Sequence, residues 1–351
     1  MSFAIAAVGT GGHVFPGLAV GEALVSAGVD RSDVLCVGGD RMEATVFPAA
    51  GFPFLGLELV GLTRSLTVSN LRIPVVVARA VRSMRRAFKD RAVDVVLGMG
   101  GYVTVPAAAA GRLAGATVMV SEQNAHAGLG NRAAGMLAAR RFGAFPVTQG
   151  MDAEWVGNPI RSELVDFRRE ELRTAARQRY GLRSDRPVVG IFGGSLGAGV
   201  LNDVAAGIAA IEGVQLVHLA GERNIEEIRH RAPSWTVVGF EEHMEYFYAA
   251  TDLVVARAGG AVAELTATGT PSVLVPGGFG SAGHQDANAA ALEAEGAAIV
   301  VPQALADTIP RVVSDLVGDA ARMATMRAAA VRMARPEAAT VIAAAMIAAH
   351  G

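Results

Sequence analysis

Two glycine-rich segments hold the residues best suited to chemistry in this chain. Gly9-Thr10-Gly11-Gly12-His13 follows an apolar run at residues 3–8, and Gly193-Gly194-Ser195-Leu196-Gly197 follows another at 188–192. A strand that ends in glycines and feeds a helix aims unpaired backbone N–H groups and the positive end of a helix dipole at one point, which is how phosphate is bound. His13 adds an imidazole, the side chain type whose ordinary pKa suits proton transfer near neutral pH. The dinucleotide fingerprint does not fit: counting from Gly9 and Gly11 puts Val14 at the third glycine, and Gly194-Ser195-Leu196-Gly197 is misspaced as well. Walker lysine, CxxC and HExxH patterns are missing, as is any Asp-x-Asp pair. A diphosphate held here would therefore be neutralised by backbone N–H groups, a helix dipole, hydroxyls and arginine, and neither a metal nor an organic cofactor is expected.

The elements that must position these loops follow from the hydrophobic pattern. Short β-rich runs at 3–8, 34–37, 93–99, 117–121, 188–192, 214–220, 236–239, 252–256 and 272–275 alternate with Ala-, Leu- and Arg-rich helical stretches. Continuous apolar strands separated by helices imply doubly wound α/β units with parallel sheets covered on both faces. A length of 351 residues suits two domains, and both glycine loops open a strand–loop–helix unit, so each half repeats one plan. The charged segment 161–186 reads as a helix and connector, which places the halves at 1–158 and 159–335, with a helix at about 336–351 able to fold back. A ligand is expected in the cleft between the halves, at the carboxyl ends of the strands.

Composition removes other classes. The net charge of −2 provides no global field for nucleic acid. The single cysteine, Cys36, rules out an internal disulfide and, within Val34-Leu35-Cys36-Val37, reads as a buried structural thiol. The apolar start lacks a basic lead and runs straight into a glycine turn, so it reads as a first strand and a cytoplasmic location is expected. Glycines and prolines interrupt the longest uncharged stretches, so no membrane span is expected.

Six segments, GTGGHVFPGLAVGEAL (9–24), GGYVTVPAAAAGRLAG (100–115), SEQNAHAGLGNR (121–132), EWVGNPIR (154–161), FGGSLGAGVLN (192–202) and HQDANAAALEAEGAA (284–298), lie in an order and at a spacing that resemble the MurG family, the N-acetylglucosaminyltransferases of peptidoglycan synthesis. The resemblance implies a metal-independent GT-B fold of two Rossmann-like domains facing across a cleft. It implies inverting transfer of GlcNAc from UDP-GlcNAc to the 4-hydroxyl of MurNAc-pentapeptide in undecaprenyl-linked lipid I, giving lipid II and UDP. Carried over by residue, the family's substrate-binding positions fall on Thr10, Gly11, Gly12, Asn124, Arg161, Ser195, Glu264 and Gln285, and the proposed acceptor-activating histidine on His13. In that scheme Ser195 and the N–H groups after it hold a phosphate, Arg161 adds charge, Glu264 accepts from two ribose hydroxyls, and Asn124 and Gln285 read sugar hydroxyls. Glu122, beside Asn124, is a further candidate for the acceptor side. Two readings of His13 stand, deprotonation of the acceptor or local positioning of the loop, and Arg161 has Glu154 and Glu163 as alternative partners. The run Arg257 to Glu264 is one residue shorter than the family pattern and lacks its threonine. Two other activities fit the scaffold: a UDP-GlcNAc 2-epimerase and a non-catalytic UDP-sugar binding protein.

A lipid-linked acceptor calls for a surface that meets the inner leaflet of the cell membrane. In residues 74–91, helical spacing puts Val77, Val81, Met84 and Phe88 on one face and Arg79, Arg82, Arg86 and Lys89 on others. That basic face is either a peripheral membrane contact or a solvated surface.

Overall fold

The computed structural model describes residues 1–57, 73–193, 199–232, 234–277 and 283–350. The chain divides into two compact units, Met1–Arg161 with Glu337–Gly351, and Ser162–Pro336.

In the first unit the order is β1 (Phe3–Ala6), α1 (Gly11–Ser26), β2 (Val34–Gly38), α2 (Glu43–Ala49), β3 (Phe54–Gly56), α3 (Ile73–Asp90), β4 (Val95–Gly98), α4 (Thr104–Ala114), β5 (Thr117–Glu122), α5 (Leu129–Gly135), β6 (Arg140–Gly143) and β7 (Glu154–Trp155). Among the described residues these strands form one parallel sheet in the order β3-β2-β1-β4-β5-β6-β7. The order reverses between β1 and β4, and a crevice opens at such a reversal because the helices after the two strands go to opposite faces. The loops after β1 and β4 are therefore where this unit's chemistry should sit.

Period-2 alternation explains how one sheet carries two cores. Phe3 and Ile5 of β1 pack with Val14, Leu24, Val95, Leu97 and Met119 on one face, and Cys36 of β2 is buried there, its thiol pushed up by burial. Ala4 and Ala6 face the other way, with Val96, Met84, Phe88 and Ala107. On α3 the buried stripe begins at Ala80 and runs through Met84 and Phe88, with Val81 half-buried beside it. Val77, expected on that stripe, lies a turn earlier and is exposed, as is Val75.

The second unit contains α6 (Arg169–Arg179), β8 (Val188–Phe192), α7 (Gly199–Ala209), β9 (Gln215–Leu219), α8 (Ile225–Arg231), β10 (Thr236–Val238), α9 (Met244–Ala250), β11 (Leu253–Ala256), α10 (Ala261–Ala267), β12 (Ser272–Leu274), α11 (His284–Ala294), β13 (Ala298–Val300), α12 (Ile309–Val317) and α13 (Ala320–Met333). Its parallel strands run β10-β9-β8-β11-β12-β13, which puts the reversal between β8 and β11. The loop that begins at Gly193 and the loop from Arg257 into α10 follow those two strands. Buried Arg169 braces this region: its guanidinium donates to the carbonyls of Tyr248, Thr251 and Thr268 and to Thr270 Oγ1. A cation suits the negative C-terminal ends of α9 and α10, where those carbonyls lie.

The last helix, α14 (Ala338–Ala348), belongs to the first unit. Ile342 and Met346 are fully buried in the core of Phe3 and Ile5, and α14 lies along α1.

Candidate active site

The first glycine loop is shaped by backbone geometry and by a buried carboxylate. Gly9 adopts φ +98°, and its N–H donates to Glu43 Oε2 at 3.2 Å, while Gly39 N–H donates to Oε1 of the same residue at 3.0 Å. Glu43, fully buried on α2, thus ties the loops after β1 and β2 together. Thr10 is the exposed N-cap of α1; its side chain makes no capping bond, and the first turn holds no acidic residue, so the positive end of the helix is not neutralised from within.

His13 sits in that first turn. Its Nδ1 lies 3.2 Å from the Val8 carbonyl oxygen. A carbonyl can only accept, so Nδ1 carries the hydrogen and the neutral ring holds its lone pair on Nε2. The ring packs against Gly100 of the β4–α4 loop: a Cβ there would lie 2.7 Å from Cδ2 and 2.9 Å from Nε2, and Gly100 has φ +104°. Only glycine meets both demands, so the Gly-Gly of the second motif is the surface on which the imidazole rests. Gly101 is as close to Val8, and Gly130 at the start of α5 would bring a Cβ to 2.7 Å from the Gly101 carbonyl. Thus the loops after β1, β4 and β5 converge on Gly100-Gly101.

Asn124 lies on the third of these loops. Its N–H and Nδ2 both donate to Glu122 Oε1, at 3.0 and 2.8 Å, while Gly128 N–H and Asn131 Nδ2 donate to Oε2 at 3.0 and 2.8 Å. Glu122 is 2% exposed. Four donors converge on it, so it organises the loop and does not present its carboxylate outward, which replaces the acceptor-side placement expected of it. Arg161 ends the first unit with its guanidinium 4.7 Å above the ring of Phe15 on α1. Glu154 pairs instead with Arg140. Stacking on Phe15, whose ring edge would lie 3.1 Å from a Cβ on Gly11, brings Arg161 to the first glycine loop.

In the second unit, Ser195 lies outside the described residues. Glu264 stands in the first turn of α10, half-buried, and Tyr248 Oη donates to its Oε2 at 2.9 Å. The Tyr248 ring is fully buried edge-on to Phe192 and Phe247, so the phenol is a fixed donor. Gln285, in the first turn of α11, accepts from Gly277 N–H through Oε1 at 2.9 Å, a bond that fixes which end of its amide carries the NH₂ donors. Asn288, one turn on and fully buried, donates to the Ala258 carbonyl at 2.9 Å and ties α11 to the loop that carries Arg257. The Arg257 guanidinium bonds Val275 O and Gln303 Oε1, and burial lowers its pKa. On β9, His218 is fully buried, with Nε2 2.9 Å from Asn202 Oδ1 on α7, the helix that follows the second glycine loop.

Thr10, Gly11, Gly12, His13, Asn124 and Arg161 thus belong to the first unit, and Glu264 and Gln285 to the second. Glu43, Gln123, Tyr248 and Asn288 were not singled out from sequence. Gln123 and Asn288 stand inside quoted motifs, whereas Glu43 and Tyr248 have no sequence signal, because each acts through contacts made only in three dimensions.

Comparison with known proteins places this geometry. Residues 3–142 match the glycosyltransferase family 28 N-terminal domain and residues 188–342 the glycosyltransferase family 28 C-terminal domain. A protein of Halorhodospira halophila named "UDP-N-acetylglucosamine--N-acetylmuramyl-(pentapeptide) pyrophosphoryl-undecaprenol N-acetylglucosamine transferase" is 42% identical over 347 residues, covering 95% of this chain and 94% of its own. The chain belongs to the MurG family. A relative of the same name from Mycobacterium bovis is 38% identical over 99% of this chain and 89% of its own. The crystal structure of Acinetobacter baumannii MurG superposes with a TM-score of 0.77 at 28% identity, covering 99% of each chain. The GT-B glycosyltransferase fold and the MurG resemblance read from the motifs are both borne out. As a MurG-family glycosyltransferase, the chain carries Thr10, Gly11, Gly12, His13, Asn124, Glu264 and Gln285 on loops and first helical turns that follow strands of the two sheets, Ser195 lying outside the described residues.

Proposed function

We propose that this enzyme transfers GlcNAc from UDP-GlcNAc to the 4-hydroxyl of MurNAc-pentapeptide in undecaprenyl-linked lipid I, releasing lipid II and UDP. The observation that carries the reading is the 42% identity, end to end, with a relative bearing that activity in its name. In the proposed step the acceptor oxygen attacks the anomeric carbon of GlcNAc from the face opposite the diphosphate. The bond to the β-phosphate oxygen breaks, UDP departs with the electron pair, and the hydroxyl proton passes to His13 Nε2, the nitrogen that the Val8 contact leaves as the basic one. Ser195 and the backbone N–H groups of its loop take the charge that develops on the departing diphosphate. Glu264, held by Tyr248, accepts from the ribose hydroxyls, and the Gln285 NH₂ donates to the donor sugar. Thr10, Gly11, Gly12, Asn124 and Arg161 line the substrate on the first unit.

None of the described helices is long and apolar enough to cross a membrane. We infer peripheral attachment to the cytoplasmic face through α3, where Val75 and Val77 are exposed beside exposed Arg79, Arg82, Arg86 and Lys89. Anionic headgroups contribute about 1 kcal/mol for each basic residue near the surface. Sedimentation with phosphatidylglycerol vesicles should pull down the enzyme, and a Val75→Ser, Val77→Ser double variant should stay in the supernatant; equal recovery of the two would refute this role for α3.

Release of UDP from UDP-GlcNAc, measured with and without lipid I, tests the activity. Release that depends on lipid I is expected. Conversion of the sugar nucleotide in the absence of acceptor, or tight UDP binding with no turnover, would overturn the reading.

A further inference from the structure

Gln123 approaches Gly100, the glycine on which His13 rests, and nothing in the mechanism above uses it. It is 3% exposed. Its Nε2 donates to the Ser121 carbonyl at 2.9 Å, which fixes the orientation of the amide: were the group turned over, two oxygens would face each other. The oxygen end, Oε1, consequently points the other way, toward Gly100, and there it has no hydrogen-bond partner among the described residues. A buried acceptor left unsatisfied in this way costs about 1–3 kcal/mol, so a reason for it is worth seeking.

The reason is on the other side of Gly100. A Cβ built on that glycine would lie 2.9 Å from His13 Nε2 and 3.2 Å from Gln123 Oε1, so the two atoms are separated by no more than the sum of those distances. In the resting enzyme both are acceptors, a lone pair on Nε2 and an amide oxygen, and they have no reason to bond. Once Nε2 has taken a proton it becomes a donor, and an amide oxygen already desolvated and held by its own NH₂ is the group that receives it.

We propose that Gln123 is a positioning residue for the transfer, its Oε1 accepting the Nε2–H of His13, directly or through one water, when that imidazole holds the acceptor's proton. The inference rests on the reading of His13 as the base. It explains why the amide is anchored at one end only, and why no side chain is tolerated at Gly100. Other ionisable groups on the surrounding elements are Glu43 on α2, bound to Gly9 and Gly39; Glu122 at the end of β5, bound by its own loop; Tyr102 in the β4–α4 loop; Arg132 on α5; and Arg161 over Phe15.

The test is the pH profile of kcat for the full-length Gln123→Met variant, which keeps the length of the side chain and deletes the acceptor. With the imidazolium less well supported, the acidic limb should move down by about 0.5–1 pH unit and kcat should fall about tenfold, with KM for UDP-GlcNAc unchanged within about twofold. In a His13→Ala background the same substitution should have no further effect on kcat. An unmoved limb, or an equal loss of kcat in both backgrounds, would overturn the inference while leaving His13 as base. If His13→Ala itself left kcat unchanged, the base reading would fail and Gln123 with it. Should the Met variant not fold, Gln123→Asn, which keeps the amide and withdraws its oxygen by one methylene, is expected to give the same downward shift, as is direct titration of the His13 ring by NMR.

Discussion

Tyr248→Phe removes one oxygen from the protein and leaves the packing of the ring between Phe192 and Phe247 in place. What is lost is the 2.9 Å hydrogen bond from the phenol to Glu264 Oε2. A bond to a charged acceptor contributes about 1.5–3 kcal/mol to whatever it orders, but the Glu264 carboxylate is half-buried and can partly rehydrate, so only part of that reaches ligand binding. The share that does is the cost of immobilising Glu264 when nucleotide binds, about 0.5–1.5 kcal/mol for one flexible side chain. Isothermal titration with UDP should therefore show Kd raised about 2- to 10-fold by Tyr248→Phe. Glu264→Ala, which deletes the proposed ribose acceptor itself, should weaken binding on the order of 100-fold. The decisive measurement is the double variant: in the Glu264→Ala background Tyr248→Phe should add nothing, because its effect passes through the carboxylate. If Tyr248→Phe weakens UDP binding equally with and without Glu264, the tyrosine acts by some other route and the argument is refuted.

Three further outcomes follow from the same structure. Burial lowers the His218 pKa to about 4 from an ordinary value of 6.5, so the unfolded chain binds the extra proton first as pH falls through that window. The resulting stability is fully present above about pH 6.5 and is lost toward pH 4; between pH 7 and 4.5 the wild type should lose about 2 kcal/mol more than His218→Gln in urea titrations, and equal losses would dismiss the effect. Gly100→Ala forces a Cβ into the His13 ring at φ +104°, so kcat should fall at least tenfold while UDP affinity, a property assigned to the second unit, stays within about twofold; retained turnover would show that the imidazole need not rest there. Arg169→Met leaves buried carbonyls at the ends of α9 and α10 without their donor and should cost about 2–4 kcal/mol in urea unfolding, whereas a loss under 1 kcal/mol would mean those carbonyls find other partners.

Much of this architecture is local and so could be read along the chain. Uninterrupted apolar runs such as Val188–Phe192 can only be strands covered on both faces, and a glycine loop that joins a strand to a helix marks the start of each unit. Four strands escaped the reading: Phe54–Gly56 and Ala298–Val300 are only three residues long, and the other two fail that criterion. Arg140–Gly143 opens on two arginines at the edge side of its sheet, and Glu154–Trp155 is too short to show any period. Val77 was misplaced because helical spacing gives the direction of an apolar stripe but not where the neighbouring sheet begins to cover it. Glu122 was read as facing a substrate because a carboxylate after a strand looks available until its four donors are seen.

Residue type and short-range spacing were enough to give the parallel α/β plan, the glycine loops, the family and the positions expected to touch substrate. Three-dimensional contacts were needed to show which nitrogen of His13 carries the lone pair, that Gly100 is its floor, that Tyr248 holds Glu264, and that the buried Gln123 Oε1 lies near Gly100 with no partner among the described residues. Distance along the chain is the cause: His13, Gly100 and Gln123 follow three separate strands whose parallel order gathers their carboxyl ends at one side of a sheet, and hydrogen-bond direction exists only once they meet there.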